Sequence, residues 1–105
     1  MKRVFLVVLD SFGIGAMPDA ADFGDSGTNT IASCAKSEYF KLPNLQKLGL
    51  FNIDGVTVGE TVSAPQAAVA RMTEASKGKD TTIGHWEIAG IVSEKPLPTY
   101  PEGFP

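Results

Sequence analysis

The stretch SKGKDTTIGHWEIAG, residues 76 to 90, gathers the chain's only His, its only Trp, two adjacent Thr and an Asp behind a basic glycine turn. If Thr81 opens a helix after Gly78-Lys79-Asp80, its hydroxyl lies among unpaired backbone N–H groups at the positive end of the helix dipole. That setting suits a phosphate, held or transferred. A threonine hydroxyl is a weak nucleophile at neutral pH and needs a base or a metal to activate it, and a protonated Lys79 cannot be that base. The plainer alternatives are that Asp80 or Thr81 only caps the helix and that His85 is a structural histidine. One His is too few for a histidine-rich metal centre.

Asp10 is the second candidate. It follows RVFLVVL, a β-branched and aromatic run that reads as a strand buried on both faces of a parallel sheet. A carboxylate at the carboxyl end of such a strand stands where open α/β sheets present ligands. Metal ligand and general base are its chemical readings, and a turn-forming Asp at the strand exit is the structural one. The nearby FGIGAM is no dinucleotide fingerprint, because Pro18 occupies the third glycine position and the motif follows a carboxylate that repels pyrophosphate.

The elements that must position these residues follow from local signals. After Asp10, Gly13, Gly15, Pro18, Gly24 and Gly27 punctuate a loop. Thr28 or Asn29 caps a helix predicted to run to about Phe40, with Ile31, Cys34 and Ala35 on its apolar stripe. In LPNLQKLGL, Pro43 suits a first helical residue and Gly49 a left-handed stop. Residues 50–66 read as short strands or loop, and AAVARMTEAS as a strand running into the KGKD turn. TTIGHWEIAG then opens a helix, and the proline-rich tail SEKPLPTYPEGFP is extended.

Composition limits the function classes. The chain has 105 residues, one domain at most, with 43% hydrophobic and 20% charged residues and a mean hydropathy of +0.03, as in ordinary globular proteins. A net charge of -3 and a pI near 5.0 leave no footprint for nucleic acid or an anionic membrane, so phosphate must be met locally. Cys34 stands alone, which precludes an internal disulfide or a cysteine zinc site and fits a reducing cytoplasm. It is expected to be a small buried residue. The apolar N-terminal run is too short for a signal peptide or a membrane span.

Taken in order and spacing, VVLDSFGIG, PNLQKLGL and GKDTTIGHWEIAG resemble the N-terminal part of the phosphopentomutase family, over about residues 1 to 105. The family lies in the alkaline phosphatase superfamily, and TTIGH also parallels the nucleophile segment of the cofactor-independent phosphoglycerate mutases. The resemblance implies an α/β fold: part of an alkaline-phosphatase-like core with a mainly parallel central sheet flanked by helices, cut before the cap domain. It implies two Mn²⁺ ions in the complete enzyme and a phosphothreonine that exchanges phosphate between the 1- and 5-positions of ribose or deoxyribose. By the same resemblance Thr81, not Thr82, is the phosphorylated residue and a metal ligand. Asp10 matches a second metal ligand, and His85 matches none.

The implied partners are a pentose phosphate substrate and a sugar bisphosphate activator. Family members run to several hundred residues and carry their other metal ligands far downstream, so this chain reads as a fragment, inactive alone and prone to self-association through its uncovered apolar strand. Two alternatives stand beside this reading. One is a related phosphoglycerate mutase or phosphatase, against which Trp86-Glu87 after His85 favours the pentose enzyme; the other is a non-catalytic module that needs a partner chain.

Overall fold

The computed structural model describes all residues from Met1 to Pro105 and divides into two compact units, Met1–Met72 and Thr73–Pro105. Three α-helices and two 3₁₀ turns are its regular elements, 25% of the chain, and it contains no strand. None of the helices is long and apolar enough to cross a membrane.

In the first unit, residues 1–9 are irregular and exposed; Val4 is 95% and Leu6 74% accessible. The sheet expected around RVFLVVL does not form within these 105 residues. A parallel strand needs neighbours to take its N–H and C=O groups, and no other segment here pairs with it. The run ends in a turn closed by Phe12 N–H to Leu9 O at 3.2 Å, with Asp10 and Ser11 at its tip.

The loop beyond the turn is tied back to α1 (Thr30–Cys34) by Ile31 N–H to Gly13 O at 3.0 Å. Asn29 is the N-cap of α1, its side chain accepting from Ala32 N–H. The helix stops at Cys34 rather than near Phe40. Ser37 O is taken by Phe40 N–H and Ser37 Oγ by Tyr39 N–H, local bonds that offer the backbone an alternative to helix. Ile31 is buried, but Cys34 is exposed, which corrects the expectation of a buried thiol: one and a half turns of helix cover only one residue of the expected stripe.

Helix α2 (Pro43–Leu48) has Pro43 in its first turn and ends at Gly49, whose φ of 107° is left-handed. A 3₁₀ turn, Leu50–Asn52, follows and buries Phe51 against Phe40 and Gly59. Residues 53–66 are loop, held by Asn52, whose side chain donates to Val62 O at 2.8 Å and accepts from Val62 N–H at 3.0 Å. The AAVARMTEAS stretch forms no strand either.

The second unit is a loop, α3 (Thr81–Ile88) and a return segment. Beyond α3 the backbone closes on itself: Gly90 N–H bonds Glu87 O and Ile91 N–H bonds Trp86 O, a Schellman motif with Gly90 at φ 94°. The tail from Glu94 onward contains one turn, at Tyr100–Gly103, and no regular element, as its prolines predict.

Candidate functional site

Asp80 sets the start of α3. Its backbone is extended at φ -125° and ψ 159°, and its carboxylate accepts from Ile83 N–H at 3.0 Å. An aspartate there satisfies one of the four donors a helix leaves open and places negative charge at the positive end of the dipole. Thr81 is therefore the first helical residue, and its side chain is exposed. Thr82 is exposed as well.

His85 lies one turn beyond Thr81 on the same face. Its Nδ1 is 2.7 Å from Thr81 O. A carbonyl only accepts, so Nδ1 carries the proton and Nε2 is the nitrogen left for other chemistry.

The other side of α3 faces its own preceding loop. Ile83 is completely buried and fills the space over Gly78, itself buried. Glu87 accepts from Ala75 N–H with one carboxylate oxygen and from Ser76 N–H with the other, both at 2.8 Å. The Ala75 N–H, the Ser76 hydroxyl and the Ser76 N–H, helped by the charge of Lys79, hold the Glu87 carboxyl below the usual carboxylate range against a smaller desolvation effect. Ser76 is 1% exposed, and its Oγ accepts from Ser93 N–H at 3.0 Å while Lys77 N–H bonds Ser93 O at 2.9 Å. Lys79 pairs with Glu74 at 3.4 Å.

This arrangement answers why so many polar residues crowd residues 76 to 90. Asp80 caps, Lys79 and Glu74 brace the turn, Ile83 and Glu87 lock the loop to the helix, and Thr81 is presented outward. Sequence reasoning found the cap and the presented hydroxyl. It missed Glu87, Ser76 and Ser93; the only signal for Glu87 was its place four residues after Ile83, on the same helix face.

Asp10, the other predicted site residue, is exposed in the first unit, next to Ser11 at φ 59°. A left-handed backbone at a non-glycine residue is uncommon and costs energy, so the turn that carries Asp10 is held rather than relaxed. Asp10 and Thr81 offer hard oxygen donors of the kind Mn²⁺ accepts. No group of three or more His, Cys, Asp or Glu side chains comes together to hold a metal ion, so the chain's own donors match such an ion in type but not in number.

No family model matches the chain. It is similar along its whole length to curated proteins named phosphopentomutase. The relative from Lachnoclostridium phytofermentans is 69% identical over 106 aligned residues and that from Acetivibrio thermocellus 56%, both covering 100% of this chain. The relative from Thermotoga maritima is 53% identical over 104 residues, 98% of the chain. The chain spans about a quarter, 27%, of the length of each.

Proposed function

We propose that this chain is the nucleophile-bearing part of a phosphopentomutase, an isomerase that moves phosphate between the 1- and 5-positions of ribose or deoxyribose. The observation that carries the reading is Thr81, exposed at the first position of α3 behind the Asp80 cap, within a segment similar throughout to proteins of that name.

In this reading the primed phosphothreonine at Thr81 first passes its phosphoryl group to the free hydroxyl of a bound pentose monophosphate. The bond from phosphorus to Thr81 Oγ breaks, a bond to the sugar oxygen forms, and the proton that the sugar hydroxyl loses ends on Thr81 Oγ. The second half reverses the first at the other end of the pentose bisphosphate: Thr81 Oγ attacks that phosphorus, the bond to the sugar oxygen breaks, and that oxygen leaves with the proton, which restores the phosphothreonine. A sugar bisphosphate primes the enzyme by leaving one phosphate on Thr81. The outward face of α3 keeps the Thr81 oxygen accessible, and the N-terminal dipole favours the negative charge that arrives there.

Asp10 and Thr81 are assigned to the metal ligands, with further ligands that these 105 residues do not supply. When bound, a divalent ion supplies the Lewis acidity that a threonine hydroxyl lacks at neutral pH.

The exposed run Val4–Leu9 supports the same reading at the level of fold. Six successive apolar residues accessible on both sides are stable only under cover. We assign them to a buried strand of a mainly parallel α/β sheet, completed by other parts of the protein. The 105 residues alone are then expected to be inactive and to self-associate through that run. A reducing cytoplasm, where pentose phosphates are handled, is the assigned compartment.

The test is conversion of ribose 5-phosphate to ribose 1-phosphate by the full-length enzyme with Mn²⁺, followed by ³¹P NMR. The reading expects interconversion in the wild type and none in Thr81→Ala. Turnover retained in Thr81→Ala would overturn it.

A further inference from the structure

We propose that Glu87 is a positioning residue for Thr81: by holding the backbone of Ala75 and Ser76 with both carboxylate oxygens, it fixes the loop from which α3 starts and so the place of the Thr81 hydroxyl. The role it serves rests on the assignment of Thr81 as nucleophile, but the geometry that carries it does not.

An eight-residue helix has two turns and is marginal by itself, so the position of α3 comes from what it is tied to. At 100° per residue, Ile83 and Glu87 lie about 200° and 240° around the axis from Thr81, whereas His85 lies about 40° away. Ile83 is thus nearly opposite the presented hydroxyl and Glu87 about 120° from it, so Glu87 acts from a different side of the helix. It reaches Thr81 only through the loop and the helix.

The clamp is specific to a glutamate. Ser76 is buried, and its N–H must find an acceptor inside the protein. One carboxylate oxygen serves Ser76 N–H and the other serves Ala75 N–H, while the Ser76 hydroxyl accepts from Ser93 N–H and so ties the return segment to the same loop. A glutamine of the same shape has one oxygen only, and its NH₂ would face an N–H donor. An aspartate is one methylene shorter and stands back from both amides.

The closing experiment compares wild type, Glu87→Gln and Ser76→Ala in the full-length enzyme, reading backbone amide exchange and the separate kinetic constants. Glu87→Gln is expected to speed exchange at Ala75 and Ser76 by about tenfold or more, the loss expected when a charged hydrogen-bond acceptor is removed. It should lower kcat with KM nearly unchanged, because substrate contacts stay and only the nucleophile is misplaced. Ser76→Ala, which leaves both amide bonds to Glu87 but removes the hydroxyl and with it the acceptor for Ser93 N–H, should move both readouts in the same direction by less, and it carries the test if Glu87→Gln does not fold.

Faster exchange with an unchanged kcat would reduce Glu87 to a structural role and overturn the proposal. Unchanged exchange together with an unchanged kcat would also overturn it, leaving Thr81 as assigned. Active Thr81→Ala protein alongside faster exchange in Glu87→Gln would instead sink the nucleophile while leaving the clamp intact.

Discussion

The side chain of Ile83 occupies the space that a Cβ on Gly78 would need. Ile83 has no exposed surface and Gly78 is buried beneath it, so the glycine is required for room rather than for an unusual backbone angle. This contact seats the first turn of α3 on its own loop and leaves Thr81 facing out.

Gly78→Ala is therefore expected to destabilise the second unit by about 1–3 kcal/mol, the usual cost of overpacking a filled site. Ile83→Val in the same background should recover part of the loss by removing the methyl group that collides. Chemical denaturation of the single and double variants checks both, and additive effects would show that the two residues do not compete for one space.

Asp80→Ala is expected to fray the start of α3 and cost about 1 kcal/mol, while Asp80→Asn, which keeps an acceptor for Ile83 N–H, costs only a few tenths. Amide exchange at Ile83 is the direct readout. Equal protection in all three proteins would remove Asp80 from the capping role.

The pH dependence follows from Glu87. Its folded carboxyl is held below the ordinary value of about 4.3 by the Ala75 and Ser76 donors, so its stabilising contribution is complete above that pH. As pH falls through the folded value the carboxylate is protonated and the contribution is lost. A ¹³C titration should place the Glu87 midpoint below that of a free glutamate, and the acid limb of the stability profile should be shallower in Glu87→Gln. A midpoint at or above the free value would contradict this.

Local signals in the sequence were legible because each depends on one residue's own backbone chemistry. A cap at Thr28 or Asn29 and another at Asp80 or Thr81 were legible, and the structure selects Asn29 and Asp80; Pro43 at a helix start and Gly49 at a stop stand where their types predict. The early end of α1 was not legible, since it turns on Ser37 bonding the following backbone instead of extending a helix. Glu87 was missed because its partners, Ala75 and Ser76, are distant in sequence and are backbone groups that no side-chain pattern marks. RVFLVVL shows the converse limit: its apolar character is plain, yet a strand is a property of a pair, and nothing in the 105 residues pairs with it.

Asp10→Asn in the full-length enzyme is expected to lower Mn²⁺ occupancy and activity together, since a neutral amide is a poorer ligand for a hard divalent ion than a carboxylate. Metal analysis after dialysis, beside an activity assay, measures this. Occupancy and activity both at wild-type levels would return Asp10 to the role of a turn residue beside Ser11.

The most direct measurement is of where the phosphate goes. Full-length enzyme incubated with a pentose bisphosphate, quenched and digested, should yield by tandem mass spectrometry a peptide containing KGKDTTIGHWE with phosphate on Thr81, and the modification should turn over when pentose monophosphate is added. Phosphate on Thr82 or Ser11 instead, or an active enzyme that carries none, would contradict the assignment of Thr81 as the residue that holds the phosphoryl group.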